Sequence, residues 1–383
     1  MSSFALYRFP HEQRVTLVEQ QGEPLELSSC RDLSGRQGFV VAPFAADAYH
    51  PVVLIVPDKV QTFEDASLCR LPDDWEFGRS KPGVWTLQTS ALDGSKPRNG
   101  IANALDGSSP TRETYGDDFR RFHRELSGGR FRKLVLSRCA EEPLLGKIGG
   151  DRKVGGDHDV LTLFRRACQK YSRLFVVLSY TPKSGLWLTA TPEILLEGEG
   201  SRWRTIALAG TMRLEGEQLS GEGEQVCWST KNIQEQRYVA TYIMDCLERL
   251  ADDIREEGPR TVRAANLVHL RSDFSFVLRE GVDVGDALTM LHPTPAVCGL
   301  PKEEAFRFIL NNEHSPRRYY SGFTGPLSID GSTHLYVSLR CMQIIPDRFL
   351  LYAGGGLLDA SVEEQEWQET EAKLETMRAL ITL

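Results

Sequence analysis

The first chemical signal is a group of charged residues near the C-terminus. Glu366, Glu369 and Lys373 are spaced three and four apart. They share one face if the chain is helical from about Val362, as the recurrence of Trp367, Leu374, Met377, Leu380 and Ile381 predicts. One reading is a solvated charge stripe, in which a Glu-to-Lys pair four apart adds about 0.2–0.5 kcal/mol. The other is a hard-cation site, with two carboxylates holding Mg²⁺ and the lysine neutralising a substrate carboxylate. Ala353-Gly354-Gly355-Gly356 stands just before this helix. Such a turn lets backbone N–H groups approach an anion, although a plain strand end also uses glycine. Glu235, in Lys231-Asn-Ile-Gln-Glu-Gln-Arg237, opens a second long helical pattern. It suits the helix dipole as an ordinary first-turn acid, and becomes a third cation ligand only if the fold joins the two helices.

A candidate base and acid come earlier. Lys133 starts Lys-Leu-Val-Leu-Ser-Arg138, a strand pattern. It is either an edge lysine or a lysine in a partly dry pocket, where desolvation favours the neutral base. Glu193 follows Thr191-Pro192 and leads into an apolar strand. It reads as a surface acid, or as an enclosed carboxyl that keeps its proton and delivers it to a leaving hydroxyl. Ala207-Leu-Ala-Gly210-Thr211 ends a strand in a turn able to meet a carboxylate. Leu291-His-Pro-Thr-Pro-Ala296 packs two prolines into a rigid segment. His269 and His292 are single histidines, a type more often structural than catalytic. Tyr320 and Arg340 suggest a hydroxyl-and-guanidinium clamp, although a lone strand arginine is usually an ion-pair partner.

The elements that position these residues read as follows. The stretch to about residue 110 looks irregular apart from a buried strand at Val52–Val56. Residues 91–116 have the composition of a long loop or linker, and 149–158 that of a polar insertion that should loop outward. Helices are expected at Tyr115–Leu126, Val160–Tyr171, 231–250 and from Val362. Hairpins are expected at 174–188, at 194–209, and from Leu335–Ile345 to Arg348–Ala353, turning at Pro346-Asp347. Strand pairs broken by occasional long helices predict an α+β fold with a mostly antiparallel sheet.

Composition narrows the function further. The 383 residues carry 45 Lys+Arg against 53 Asp+Glu, a formal charge of −8. That balance disfavours nucleic acid, which needs a basic face, but leaves room for a basic pocket around a small anion. The eight cysteines show no Cys-x-x-Cys pair. With no apolar leader and no run long enough for a bilayer, the expectation is a cytoplasmic protein with reduced thiols and no membrane partner.

Taken in order, seven motifs are similar to those of the chorismate-binding enzymes, which include isochorismate, salicylate, anthranilate and aminodeoxychorismate synthases. They are Lys133-Leu-Val-Leu-Ser-Arg, Thr191-Pro-Glu, Leu208-Ala-Gly-Thr, Leu291-His-Pro-Thr-Pro-Ala-Val, Tyr320-Ser-Gly, Tyr352-Ala-Gly-Gly-Gly and Glu366-Trp-Gln-Glu-Thr-Glu-Ala-Lys373. The resemblance covers roughly residues 115–380. It implies one large α+β domain of two packed, mostly antiparallel sheets with helices outside. Residues 1–110 would be a loosely matched part of that core, and 111–383 the catalytic region.

The resemblance also implies Mg²⁺-dependent chemistry on chorismate. It makes Lys133 the base that activates water for attack at C2, and Glu193 the acid that protonates the departing C4 hydroxyl. Glu235 and Glu369 become metal ligands, with Glu366 as a further ligand or the holder of a metal-bound water. Gly210, Thr211 and His269 would border the ring-carboxylate end. Tyr320, Arg340, Gly354 and Lys373 would hold the carboxylates, and Ala296 would line the ring.

Two residues depart from the family pattern: Gln236, where many relatives have His, and Gly355, where Ala is common. Leu208 before Ala-Gly-Thr resembles the water-using branch, so isochorismate formation is expected, for menaquinone or siderophore biosynthesis, with no obligatory protein partner. Salicylate synthase, an ammonia-using subunit and a non-catalytic chorismate-binding subunit are the alternatives.

Overall fold

A computed structural model describes residues 2–75, 111–143, 157–213, 227–264, 267–346 and 348–382. The expected linker up to residue 110 and most of the polar insertion at 149–158 lie outside these residues, as does Asp347 of the expected turn. The strands are β1 (Ser3–Arg8), β2 (Val15–Gln20), β3 (Leu25–Leu27), β4 (Gly38–Ala42), β5 (Val52–Ile55), β6 (Lys59–Phe63), β7 (Lys133–Pro143), β8 (Phe175–Thr181) and β9 (Gly185–Thr191). They continue with β10 (Ile194–Glu199), β11 (Arg202–Arg213), β12 (Ala251–Ala264), β13 (Leu267–Leu278), β14 (Gly299–Leu300), β15 (Phe323–Leu327), β16 (Ser332–Val337), β17 (Cys341–Ile345) and β18 (Arg348–Leu357). The helices are α1 (Arg112–Ser127), α2 (Asp157–Lys170), α3 (Thr230–Leu250), α4 (Val284–Leu291), α5 (Lys302–Asn312) and α6 (Glu363–Ile381).

Among the described residues the strands form two nine-stranded sheets. The first runs β14-β7-β18-β17-β9-β8-β1-β2-β6, and the second β12-β13-β11-β10-β16-β15-β4-β5-β3. This is an α+β architecture, as expected. The sheets bury their facing sides against each other through Phe175, Val177 and Trp187 from one and Phe39, Ile206 and Tyr336 from the other. Phe175 stacks on Tyr336 with ring centres 4.2 Å apart. The outer face of the first sheet is covered by α2 and α6, through Phe164, Ala167, Leu374, Met377 and Leu380. The outer face of the second is covered by α3 and α4, through Val239, Ile243, Leu247 and Leu288. The stripe expected on 231–250 is thus the seam by which α3 packs. No helix among the described residues is long and apolar enough to cross a membrane.

Two expectations fail. The stretch before residue 76 is not irregular, since it supplies six strands to the two sheets. β1 joins β8 and β4 joins β15, and both strands are buried at every position, so they lack the alternation that marks a half-buried strand. Leu335–Ile345 is not one strand either. β16 belongs to the second sheet and β17 to the first. Between them the chain crosses at Ser338–Arg340, with Arg340 at φ 46°. A non-glycine residue in that region needs support from its surroundings. The carbonyl of Arg340 accepts from Ala190 N–H at 3.1 Å. The expected hairpin survives as β17–β18, with Ile345 opposite Arg348.

Candidate active site

A cavity of about 60 Å³ lies between the two sheets, lined by β7 and β18 of the first and by β11 of the second. Ten of the residues singled out in the sequence line it: Glu193, Gly210, Thr211, Glu235, His269, Ala296, Tyr320, Arg340, Gly354 and Lys373. Lys133 lies directly behind the lining, and a Cβ added at the lining residue Gly356 would sit 2.9 Å from its Cε. Glu366 and Glu369 stand over Gly355, where an added Cβ would lie 3.4 and 3.5 Å from their oxygens.

One end of the cavity is cationic. The sheet-to-sheet crossing delivers Arg340 inward, where it is 6% exposed. Its Nη1 donates to Ala264 O at 3.2 Å, and its Nη2 to His269 Nε2 at 2.5 Å. Burial pulls the Arg340 guanidinium down to about 10, so it stays charged at neutral pH. It makes no ion pair with a carboxylate among the described residues. Burial, then the charges of Arg340 and Lys373, push His269 well below the usual histidine range. A guanidinium can only donate, so neutral His269 accepts at Nε2 and carries its proton on Nδ1. That nitrogen lies 3.2 Å from Thr211 Oγ1. Gly210 takes φ 69°, and a Cβ there would press Asn232 O of α3 at 3.0 Å. The Tyr320 hydroxyl reaches over Gly354, where a Cβ would come within 2.8 Å, and burial raises its pKa. His292 is a separate matter: it bonds Pro43 O at 3.1 Å and does not line the cavity.

The other end interleaves carboxylates with lysines. Lys133, fully buried, has its Nζ 3.0 Å from Glu235 Oε1 without the alignment of a hydrogen bond. Burial pushes the Glu235 carboxyl up, but Lys133, Lys231 and Lys373 outweigh it and hold it below the ordinary range. Lys373 Nζ donates to Glu369 at 2.7 Å and to Gly354 O at 2.8 Å. Lys231 pairs with Glu366 Oε1, while Glu366 Oε2 is buried without a hydrogen-bond partner. Burial and the neighbouring Glu369 raise Glu366 to about 7 against the pull of Lys231.

Glu193 sits in the turn from β9 to β10 and is 2% exposed. Its backbone N–H donates to Thr191 Oγ1 at 3.3 Å. Burial raises its carboxyl to about 8, although Lys133, Lys373 and Arg340 all pull the other way. It is therefore a protonated acid at neutral pH.

Sequence reasoning gave no role to two residues. Lys231 stands four before Glu235 on α3, a spacing that signals a shared face. Gln236 is 1% exposed, and its side-chain amide accepts from Ala209 N–H at 2.9 Å and donates to Ala207 O at 3.1 Å. It thus stitches α3 to β11 beside Gly210. As a polar residue on a helix it gave no sign of burial.

Whether a divalent cation fits can be tested on the donors. Glu235, Glu366 and Glu369 are hard oxygen ligands gathered over Gly355 and Gly356, and Glu366 Oε2 has a free acceptor. Each carboxylate faces a lysine instead, and among the described residues no three such groups already close around one point. The donor chemistry suits a hard cation once these pairs loosen.

A family model described as chorismate binding enzyme matches residues 84–382. Isochorismate synthase EntC of Escherichia coli K12 is 29% identical over 196 residues, covering 50% of this chain and 50% of that protein. Isochorismate synthase MenF of the same organism is 34% identical over 199 residues, covering 51% and 46%. The chain thus spans about half the length of these curated relatives. The solved structure of MenF, the menaquinone-specific isochorismate synthase of Escherichia coli, superposes with a TM-score of 0.74. It does so over 99% of this chain and 89% of that one at 20% identity, which is a likeness of fold.

Proposed function

The chain belongs to the chorismate-binding enzyme family, and from that premise we propose that it is an isochorismate synthase. The substrate would be chorismate, a dianion with a ring carboxylate and an enolpyruvyl carboxylate. Water adds at C2, the ring double bonds shift, and the C4 hydroxyl leaves as water, so the atoms balance without a redox partner. The observation that carries the reading is Glu193, a carboxyl buried in the cavity wall and held protonated up to about pH 8. A leaving hydroxyl needs such a donor.

The remaining roles follow from placement. Arg340, charged and without a carboxylate partner among the described residues, would take the enolpyruvyl carboxylate through its planar fork. Lys373, bordering the same cavity, would add a second positive charge. Lys133 would take the proton of the attacking water, and Glu235 at 3.0 Å would steady the ammonium that results. Gly210 and Thr211 would face the ring-carboxylate end, since Gly210 abuts Asn232 on the helix that carries Glu235, and neutral His269 would link Thr211 to Arg340. Tyr320 and Gly354 would help hold the carboxylates, and Ala296 would lie along the ring. Mg²⁺ held by Glu235, Glu366 and Glu369 would supply positive charge against the ring carboxylate. The product would serve menaquinone or siderophore biosynthesis.

The test is incubation with chorismate and Mg²⁺ in the absence of ammonia, with products separated by chromatography and weighed by mass spectrometry. The expected product has the mass of chorismate and a shifted retention time. Salicylate with equimolar pyruvate would replace this reading with a salicylate synthase. Turnover only with ammonia would replace water as the nucleophile.

A further inference from the structure

We propose that Arg317, locked to Glu313, is a positioning residue that keeps the strand carrying Lys133 in register with the Ala296–Val297 wall of the cavity. The proposal rests on the reading of the site as one that turns over chorismate.

The observation starts at the edge of a sheet. β14 lies outermost and pairs with β7 only at Leu134 and Lys133, opposite Gly299 and Leu300. One more backbone bond follows, from Val135 N–H to Cys298 O at 2.7 Å. Beyond it β7 continues to Pro143, while β14 has ended. Side chains from one segment meet the next backbone groups along that edge. Arg317 Nη2 donates to Val135 O at 2.8 Å. Ser137 N–H donates to Glu313 Oε1 at 2.7 Å, and Cys139 N–H reaches Ser315 Oγ at 3.4 Å. Residues 313–317 thus stand in for a missing strand and satisfy groups that burial would otherwise leave costly.

Arg317 also reaches the opposite wall. Its Nη1 donates to Val297 O at 2.6 Å, next to Ala296. Its own carbonyl accepts from Tyr320 N–H at 2.9 Å. The guanidinium is held by Glu313 through two bonds, of 2.6 and 2.8 Å, and packs over Phe44 at 4.3 Å. Both charged side chains are 3% exposed. Neither lines the cavity, so neither touches substrate. One planar fork therefore fixes the distance between β7, the Val297 wall and the Tyr320 turn, a task that a single ammonium cannot perform.

A buried ion pair also bears on stability, and the test must separate the two effects. Removing one partner strands a buried charge, whereas removing both in favour of apolar groups is often neutral. The experiment compares wild type with the double variant Glu313→Leu/Arg317→Met and with Arg317→Lys, by thermal melting and by kcat and KM for chorismate. The double variant leaves no stranded charge, but Val135 O, Val297 O and the Ser137 N–H lose their partners, so it should fold and melt below wild type. Its kcat should fall about 10²-fold, as expected for a catalytic group displaced by an ångström. KM should move far less, because Arg340 and Lys373 remain in place. Arg317→Lys keeps the charge opposite Glu313 but loses the fork, and its kcat should fall in the same sense. It decides the matter if the double variant does not fold. Wild-type kcat in a folded variant overturns the positioning role and leaves the proposed function standing. A wild type that does not turn over chorismate brings down that function and this inference with it.

Discussion

Burial holds the Glu193 carboxyl protonated up to about pH 8, whereas an unfolded chain releases that proton near its ordinary value of 4.5. Between those values the native state binds more protons than the unfolded one. Stability therefore falls as pH rises through this window, and the penalty is complete above it. Glu193→Gln should remove that penalty. The variant is expected to melt higher than wild type above about pH 8, by a few kcal/mol, and to match it near pH 4.5. Turnover should change in the other direction. Wild-type kcat should decline above about pH 8 as the acid is lost, and Glu193→Gln should lose about 10²- to 10⁴-fold without that alkaline limb. A variant that keeps full turnover would remove Glu193 from the reaction. The Thr191-Pro-Glu motif marked this residue in the sequence, but only burial distinguishes a proton donor from a surface acid.

At the scale of elements, β18 acts as the floor on which the carboxylates rest. A Cβ added at Gly356 would overlap Glu235 Oε1 and lie 2.9 Å from Lys133 Cε. At Gly355 the same addition meets only ordinary contacts, 3.4 and 3.5 Å from Glu366 and Glu369. Gly356→Ala should therefore cost about 1–3 kcal/mol and abolish turnover by parting Lys133 from Glu235. Gly355→Ala should cost less than about 1 kcal/mol and leave substantial activity. Melting curves and assays of the two variants check this, and equal effects would deny that the two glycines differ. The contrast agrees with the sequence, in which alanine at position 355 was the expected family residue. The glycine run was legible there, but the different duty of each glycine was not. It depends on which atoms of α3 and β7 arrive above the strand.

Across the whole molecule, the N-terminal strands form the last three positions of both sheets, with β6 and β3 at the edges. β1 lies between β8 and β2, and β4 between β15 and β5. Arg8, 2% exposed, ties them further, donating to Tyr171 O at 2.6 Å and Leu174 O at 3.0 Å. Removing residues 2–63 would expose the edges of β8 and β15 and uncover the core around Phe175. A fragment of residues 111–383 should accordingly fail to fold, and the full chain should unfold in one cooperative transition by circular dichroism. A folded, active fragment would show instead that the first strands are an accessory. Sequence reasoning missed most of these strands although they largely pair with one another, because they are short and β1 and β4, buried at every position, show no alternation.

The sequence alone determined the α+β class, the positions of the long helices and hairpins, and the residue types able to act as acid, base, cation ligand and anion clamp. Those properties depend on local periodicity and on side-chain chemistry, which neighbouring residues reveal. Tertiary structure decided the rest. It broke the strand expected at Leu335–Ile345 and turned Arg340 inward between the sheets. It brought Glu235 on α3 to Lys133 on β7, and Lys231 to Glu366 on α6. It also raised the Glu193 carboxyl by closing two sheets around it. Convergence and desolvation come from long-range packing, and a charge acquires its chemical role only when that packing removes water and supplies a partner.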